Sequence, residues 1–452
     1  MAPKQPVTIG VLAHVGNGNL GDEAQFAALV ANLRERIPDA EFVCLTLRPD
    51  DTLQSHGIPG FPIRRAFTPY VSKANTGTSD TVTNADRIRR ALRRLPPLFR
   101  MLKRGRAAAL AVREAILEIP FLFRACRRLS SMSLLVIAGS QQLSEIKGGA
   151  WWFPYTTFKW TLLARLRGVP VAIVSVGAGP LDSPLSRWFV RCTVVMATYA
   201  SYRDETSRDC IRSLGIAEPG PFVPDLAFSF SSTQVDAAPT LPPIVAINPM
   251  PTFLWRDYEP ETERALYANY ADTLTEFAAW LIDREYRVAF FATQMGGDPR
   301  AIADILERLN ARRPDTVKRG RAFIHAVAGF DDLLTVLRTA CTVVATRFHA
   351  AVLGCYAGRP VIAIAAKSHT RDLMAQMGDA QYVVSAEGLR LEALQNAFLD
   401  LEQRRDEVMA GRPAKMENVH LKLAAQYDHL VGLARRSQLG TAQRAPKAAR
   451  VA

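Results

Sequence analysis

Short apolar runs alternate with amphipathic stretches along most of this chain. In the first half, this pattern predicts strands at residues 7–14, 41–47, 134–138, 171–176 and 198–202, and helices at residues 24–37, 155–166 and 205–214. Such alternation is typical of a mostly parallel sheet that is covered by helices. We therefore predict an N-terminal α/β domain over residues 1–235.

The alternation starts afresh after a break at residues 229–243, which is rich in Ser, Ala and Pro. The second half has predicted strands at residues 244–248, 287–293, 342–345 and 361–365, and predicted helices at residues 261–284, 299–312, 331–339 and 350–356. We predict a C-terminal α/β domain over 242–412, a closing helix over 413–436 and a disordered basic tail over 437–452. Two Rossmann-like domains of this kind would face a central cleft, which is a common place for ligands.

Composition narrows the class of protein. The chain has 452 residues, of which 48% are hydrophobic and 22% are charged, so it can bury sizeable cores. We find no run of about 18 uncharged apolar residues that would span a membrane, and the N-terminal residues lack a signal-peptide pattern. The six scattered cysteines include no C-x-x-C pair and indicate reduced thiols. We therefore expect a cytoplasmic protein.

Positive charge is concentrated in two segments. The net charge is +13, and residues 87–128 alone carry +11, while residues 435–452 carry +5. A basic segment with apolar stripes, such as 87–128, can lie on anionic lipid. It can equally be a solvated helical pair that packs on its own domain. Nucleic-acid binding is not expected, because no nucleic-acid motif accompanies the charge.

The segment 346–350 (Thr-Arg-Phe-His-Ala) lies where a predicted strand ends and a helix begins. Ligands of open α/β sheets bind at such strand ends, and a helix N-terminus attracts anions. His349 can donate a proton near neutral pH, while Arg347 and Lys367, which follows the next strand, can bind a phosphate or carboxylate. The element predicts a site for a small anionic substrate.

Three other strand ends carry polar side chains. Arg203 ends one predicted strand, and the loop 16–24 places glycines, asparagines and Asp22 after the first strand. This loop is neither a Rossmann fingerprint nor a P-loop. Residues 138–145 supply amide and hydroxyl groups that suit hydrogen bonds to sugar hydroxyls. The histidines show no metal-ligand spacing, so we predict no metal site.

The ordered motifs at residues 16–24, 176–180, 202–214, 224–228, 346–350 and 358–378 together resemble the polysaccharide pyruvyltransferase family. The resemblance implies a GT-B-like architecture and transfer of the enolpyruvyl unit of phosphoenolpyruvate to two sugar hydroxyls, which yields a pyruvate ketal and phosphate. It implies that Arg203, Arg347 and His349 are catalytic, with His349 as proton donor, and that phosphoenolpyruvate is a co-substrate with no further cofactor.

The resemblance also implies a saccharide acceptor. A lipid-linked acceptor at the inner face of the plasma membrane would account for the basic segment 87–128 as well. Two departures concern the acceptor: the usual glycine triplet is here Ala138-Gly139-Ser140, and Glu145 stands in for the usual aspartate. The candidate substrate-binding residues are Asn17, Asn19, Asp22, Gln141, Glu145, Phe348 and Lys367.

Two alternative functions stay open at this point. The first is a nucleotide-sugar glycosyltransferase of GT-B type, with residues 293–298 as a place for the nucleotide. The second is a non-catalytic, membrane-peripheral component of a polysaccharide assembly complex that uses residues 87–128 for its contact. Binding of phosphoenolpyruvate or of a nucleotide-sugar would distinguish these two from a pyruvyltransferase.

Overall fold

The computed structural model describes residues 6–65, 113, 116–145, 148–230, 241–251 and 260–444. Within these parts, two parallel six-stranded sheets form the centre of two domains. The first sheet contains β1 (Thr8–Leu12), β2 (Glu41–Thr46), β3 (Gly60–Pro62), β4 (Leu134–Ala138), β5 (Val171–Val176) and β6 (Tyr199–Tyr202). The second contains β7 (Ile244–Asn248), β8 (Arg287–Phe290), β9 (Ala322–Ile324), β10 (Ala340–Ala345), β11 (Val361–Ala365) and β12 (Val383–Ser385).

Both sheets have the same topology. The strand order is β3-β2-β1-β4-β5-β6 in the first sheet and β12-β11-β10-β7-β8-β9 in the second, and all the pairings are parallel. Each order reverses once, between β1 and β4 and between β7 and β10. Such a switch point opens a crevice at the carboxyl ends of the strands. The predicted fold class, two Rossmann-like domains with mostly parallel sheets, is confirmed.

Helices cover both sheets. In the first domain they span Leu20–Arg36, Pro49–His56, residues 116–129, Phe153–Leu166, Pro184–Met196 and Glu205–Arg212. In the second domain they span Pro260–Asp283, Asp298–Arg312, Phe330–Thr339, Phe348–Tyr356, Ser368–Gln376, Leu391–Gln403 and Arg405–Ala410, and a last helix spans Arg412–Arg444. The central strands β1, β4, β5, β7 and β11 are buried along their whole length, because helices pack on both faces.

The sequence patterns did not predict several of the strands and helices. The edge strands β3, β9 and β12 have only three residues each, too few for a clear periodicity. The helix Pro184–Met196 was also missed, although Pro184 occupies its first turn and the Ser183 hydroxyl caps it by accepting from the Ser186 N–H. The predicted strand 287–293 ends earlier, at Phe290.

The last helix connects the two domains. It follows the second domain and returns to the first, where Gln426 accepts a hydrogen bond from Ser201 at 2.5 Å and donates one to Ser175 at 3.1 Å. Residues 437–444, predicted as part of the disordered tail, are helical instead, because extending a packed helix costs far less than starting one. The rest of the tail, 445–452, lies outside the described residues.

The basic segment 87–128 falls mostly outside the described residues. Its described part begins the helix 116–129, whose Phe121 and Ala125 are fully buried against the first sheet. In the described parts of the chain, no helix combines the length and the apolar character that crossing a membrane requires.

Candidate functional site

A cleft separates the carboxyl ends of the two sheets, and it contains two adjoining cavities of about 170 Å³ and about 570 Å³. Both domains line the smaller one. Its polar and aromatic wall includes His14, Asn17, Asn19, Asp22, Ser140, Gln141, Phe153, Arg203, Gln294, Arg347, Phe348, His349, Lys367 and His369. Every site residue predicted from the sequence except Glu145 is in this list.

Backbone hydrogen bonds join the domains at one end of the cleft. The Leu20 N–H donates to the Thr293 carbonyl at 2.9 Å, and the Met295 N–H donates to the Gly18 carbonyl at 2.8 Å. The glycine-rich loop after β1 is therefore paired with the loop after β8. Asn19 is fixed within it, because its side chain accepts from the Gly21 N–H and caps the following helix.

Arg347 is the N-cap of the helix Phe348–Tyr356, directly after β10. Its guanidinium donates from Nε and Nη2 to Oδ1 of Asp298, at 3.0 and 2.6 Å. Asp298 is fully buried, and its Oδ2 accepts from the N–H groups of Thr293 and Gln294. One edge of the guanidinium is thus held rigidly, while 20% of the side chain remains exposed.

His349 is the second residue of the same helix, which begins two positions earlier than predicted. Its ring packs on Gly21 of the other domain so closely that a Cβ on Gly21 would lie 2.0 Å from the ring. Its Nε2 lies 3.9 Å from Oδ2 of Asp225 and, among the described residues, has no hydrogen-bond partner. Burial lowers the pKa of His349 below its ordinary value, against the opposing charges of Asp225 and Asp22.

Arg203 directly follows β6, and its side chain is buried, with only 5% of the residue exposed. Its guanidinium lies over the Phe348 ring, 4.3 Å from the ring centroid, which brings a cation of the first domain onto an aromatic ring of the second. Nη1 is 3.4 Å from Asp225 and Nε is 3.6 Å from Asp204. Gly177 lets the guanidinium pass, since a Cβ there would meet it at 3.0 Å.

Asp225 connects these groups from below the cavity. Besides facing Arg203 and His349, its Oδ2 accepts from Gln25 Nε2 at 2.5 Å, and its Oδ1 accepts from the Ala227 N–H at 3.0 Å. The same Gln25 accepts from the N–H of Ser140, whose backbone is in the left-handed region with φ of 53°. A buried carboxylate therefore faces one catalytic candidate from each domain.

A second buried carboxylate, Asp22, lies across the cavity. Its Oδ2 is 3.1 Å from Nδ1 of His14, and Asn17 Nδ2 is 2.9 Å from Nε2 of the same ring. Asp22 thus accepts from Nδ1–H, while Nε2 accepts from the Asn17 amide. Burial acts to raise the pKa of Asp22, but His14 and the charge of His349 outweigh it and lower the pKa overall.

Lys367 and Gln141 meet where the two cavities adjoin. Lys367 Nζ is 3.4 Å from Gln141 Oε1, and the Gln141 amide donates to the Gly179 carbonyl at 2.5 Å. Both residues line both cavities. The larger cavity continues between the ends of β5, β6, β11 and β12, and its wall includes Ala178, Gly179, Pro180, Asp204, Thr206, Ser207, Leu266, Arg371, Ser385 and Glu387.

Asp204 is the buried acid of the larger cavity. Its Oδ1 caps the helix Glu205–Arg212 by accepting from the Ser207 N–H at 2.7 Å. Its Oδ2 makes no hydrogen bond with any described residue. Burial raises the pKa of Asp204, against the nearby charge of Arg203 and the Ser207 hydrogen bonds. A carboxylate with a raised pKa beside a cavity is suited to accept a proton.

Glu145 does not reach the cleft. Its carboxylate caps the helix Pro184–Met196 by accepting from the hydroxyls of Ser183 and Ser186 and from the N–H groups of Asp182 and Ser183. Burial alone would raise the pKa of Glu145, but these hydrogen bonds lower it overall. Because both oxygens are engaged at a helix N-terminus, the predicted contact of Glu145 with a substrate has no support in the geometry.

Asp225 and Asp298 were not identified as site residues from the sequence. Each acts through partners that are distant in the chain: Asp298 is 49 residues from Arg347, and Asp225 is 200 residues from Gln25. One signal was available, since the motif 224–228 contains Asp225 and the segment 293–298 contains Asp298. In the described residues, no group of three His, Cys, Asp or Glu side chains is arranged to hold a metal ion.

Solved structures with this architecture are similar over almost the whole chain. UDP-GlcNAc 2-epimerase from Neisseria meningitidis, bound to UDP-GlcNAc, matches with a TM-score of 0.54 at 9% identity, covering 95% of this chain and 99% of its own. UDP-GlcNAc 2-epimerase from Methanocaldococcus jannaschii matches with a TM-score of 0.51 at 12% identity, covering 87% of this chain and 92% of its own. A glycosyltransferase from Rickettsia africae matches with a TM-score of 0.51 at 8% identity, covering 94% of this chain and 99% of its own. These likenesses show the GT-B fold.

The sequence comparison identifies the family. Among curated proteins, no sequence match was found. The family profile described as polysaccharide pyruvyl transferase matches residues 19–368, which include Asn19, Asp22, Arg203 and the whole segment 346–350. The match thus includes residues of both domains that line the smaller cavity, and the chain belongs to the polysaccharide pyruvyl transferase family.

Proposed function

We propose that this protein transfers the enolpyruvyl unit of phosphoenolpyruvate to two hydroxyl groups of a saccharide, and releases phosphate. One observation carries the proposal. Arg203 of the first domain and Arg347 and His349 of the second line a single cavity of about 170 Å³, so cations and a proton donor converge on a space suited to a small molecule. The proposal places the reaction in the cytoplasm, where phosphoenolpyruvate is made.

The charges of the cavity match those of the donor. Phosphoenolpyruvate carries a phosphate and a carboxylate, and three cations surround the cavity: Arg203, Arg347 and Lys367. The two guanidinium groups are held from behind by Asp225 and Asp298, so their orientation is fixed before the donor binds. Preorganised cations of this kind stabilise developing charge without reorganisation during the reaction.

His349 is the proposed proton donor. Protonation of the methylene carbon of phosphoenolpyruvate makes the adjacent carbon electrophilic, and a sugar hydroxyl attacks that carbon. The C–O bond to phosphate then breaks, and a second hydroxyl closes the ketal. Of the two hydroxyl protons, one replaces the proton that His349 gave to the new methyl group, and the other leaves with phosphate, so atoms and charge balance.

We assign the acceptor to the larger cavity. It adjoins the smaller one at Lys367 and Gln141, and its volume of about 570 Å³ suits a saccharide. Asp204 is the proposed base that takes the first hydroxyl proton, because its Oδ2 lacks a described hydrogen-bond partner and burial raises its pKa. Glu145 is not available as this base, because its oxygens are occupied in a helix cap.

The first prediction tests the donor site by replacing the proposed acid. In His349→Gln, we expect phosphate release from phosphoenolpyruvate with a saccharide pool to fall about 10²- to 10⁴-fold. Calorimetry should still detect donor binding, because the arginines remain. Arg347→Ala should instead weaken donor binding itself. His325→Gln is the matched control, since His325 lines neither cavity.

The same experiment separates the competing functions. Unchanged turnover in His349→Gln would contradict the proposed acid. Thermal stabilisation of the wild-type protein by UDP-GlcNAc and not by phosphoenolpyruvate would favour a glycosyltransferase, and stabilisation by neither would favour a non-catalytic role. Mass spectrometry of the saccharide pool after incubation with phosphoenolpyruvate then identifies the acceptor through the added ketal.

A further inference from the structure

The outer surface of the first domain carries an apolar face on two neighbouring helices, Phe153–Leu166 and Pro184–Met196. Their inner sides are buried in the core through Trp160, Val190 and others. Their outer sides carry large apolar residues that no described part of the chain covers. The exposed fractions of the main members are 70% for Leu166, 37% for Leu185, 52% for Trp188 and 62% for Val195. Trp151, just before the first helix, is 62% exposed.

We call this surface the aromatic face, and its two tryptophan rings both pack on the buried ring of Phe189. The Trp151 ring lies 5.6 Å from Phe189, the Phe189 ring 5.3 Å from Trp188, and the Trp188 ring 5.2 Å from Phe158. Leu185, Trp188 and Val195 follow one another at helical spacing along one side of their helix. An apolar patch with large rings at its surface indicates an interaction site.

Positive charge surrounds the aromatic face. The helix 116–129 packs beside it through Lys159, which donates to Glu118 at 2.7 Å and lies 4.6 Å from the Phe121 ring. This helix adds two exposed apolar side chains, since Phe123 is 73% exposed and Ile119 is 49% exposed. Residues 116–129, 153–167 and 184–196 together contain eight Arg or Lys residues and one acid, which is Glu118.

The aromatic face adjoins the cleft. Trp151 lies two residues from Phe153, which lines the smaller cavity, and Leu185 lies five residues from Pro180, which lines the larger. Both helices begin at the carboxyl edge of the sheet, so their first turns lie at the same edge as the cleft. A partner bound to this face would therefore be close to the reacting groups.

We propose that the aromatic face docks on the surface of an anionic lipid bilayer. Tryptophan rings prefer the headgroup region of a membrane, and arginines attract anionic lipid at close range. Within residues 116–129, 153–167 and 184–196, Glu118 is the one acid that opposes that attraction. The proposal extends the membrane contact predicted for 87–128 to a face built mainly from other helices, and it does not depend on the proposed reaction.

The test is flotation of the full-length protein with phosphatidylcholine vesicles that contain or lack phosphatidylglycerol. Wild-type protein should float only with the anionic vesicles, and Trp151→Ser/Trp188→Ser should reduce the bound fraction about tenfold. Arg127→Gln/Arg165→Gln should weaken binding chiefly at low salt. Leu421→Ser is the control, because Leu421 is 64% exposed on the last helix, away from this face.

Three outcomes would overturn the proposal: equal binding to both kinds of vesicle, full binding by the tryptophan variant, or no binding by the wild-type protein. A variant that loses flotation must keep the wild-type melting temperature, which shows that the fold is intact. Light scattering identifies a different occupant, since a wild-type dimer that the tryptophan variant lacks would assign the face to a second copy of the chain.

Discussion

At the scale of single residues, the site depends on how buried charges are paired. Asp225 faces both Arg203 and His349, so one carboxylate opposes a cation and a group that becomes a cation on protonation. Burial nevertheless keeps the pKa of His349 low. In the unliganded protein, the imidazole is therefore mainly neutral at pH 7, and a third positive charge beside the two arginines is avoided.

The second prediction concerns proton uptake when the donor binds. Phosphoenolpyruvate brings negative charge to His349 and should raise its pKa, so binding takes up a proton between the free and bound pKa values. The donor affinity should consequently rise as pH falls towards and below 6.5, the ordinary histidine value. Calorimetry in buffers with different ionisation enthalpies measures this uptake directly.

The control for this prediction is His349→Gln, which removes the imidazole and keeps the arginines. Any proton uptake that remains belongs to the donor phosphate, which also titrates near pH 6, or to other groups that line the cavity. Equal uptake by the wild-type protein and the variant would show that His349 does not change its protonation state on binding.

Charge at strand ends was the part of the site that the sequence could predict. Arg203, Arg347 and His349 each lie within four residues of the end of a predicted strand, so their position at the cleft follows from the fold class alone. The partners of these residues could not be predicted in the same way. The pairing of Asp298 with Arg347 depends on how the loops after β8 and β10 meet.

At the scale of elements, the start of the helix Phe348–Tyr356 depends on a glycine in another helix. Gly21 is the second residue of Leu20–Arg36, and the His349 ring occupies the space where a Cβ would be. Apolar periodicity predicts where each helix runs, since it reflects burial on the sheet. It contains no information on a glycine that is needed only because a ring of the other domain approaches it.

The third prediction is that Gly21→Ala impairs catalysis through this contact. Alanine favours a helix over glycine by about 1 kcal/mol, so the backbone tolerates the change. The new Cβ would lie 2.0–2.3 Å from His349 atoms, which forces the ring to move. A displacement of about 1 Å should lower kcat about a hundredfold, as measured by phosphate release.

Gly329→Ala is the matched substitution for this test. Gly329 also lies at the start of a helix, and a Cβ there would meet nothing within 4 Å. We expect its kcat to equal that of the wild-type protein. If Gly21→Ala keeps full activity as well, the His349 ring does not need its observed position.

At the scale of the whole molecule, the last helix makes the two domains one unit. Residues of its middle reach the first domain: Gln426 binds Ser175 and Ser201, and the Tyr427 hydroxyl is 2.6 Å from the Ser229 hydroxyl. The sequence predicted a closing helix over 413–436. The pattern did not predict its buried polar contacts, because they depend on which strand ends lie beneath it.

The fourth prediction is that Gln426→Ala destabilises the protein. The substitution leaves the Ser175 and Ser201 hydroxyls without their partner in a buried place, which should cost about 1–3 kcal/mol. Thermal unfolding should show a melting temperature several degrees lower. Gln403→Ala, at an exposed helical position, should leave it unchanged. Equal melting temperatures of the two variants would show that the last helix is held by its apolar contacts alone.

The contact between Lys367 and Gln141 has a consequence for the passage of reactants. It crosses the cleft at the junction of the two cavities, and thereby divides the cleft into an inner chamber and a vestibule. A three-carbon acid is compact enough for the chamber, whereas a sugar ring with its neighbours must stop outside and extend only its hydroxyl groups inward. The difference in size between donor and acceptor would then direct each to its own compartment before any hydrogen bond or ion pair is formed.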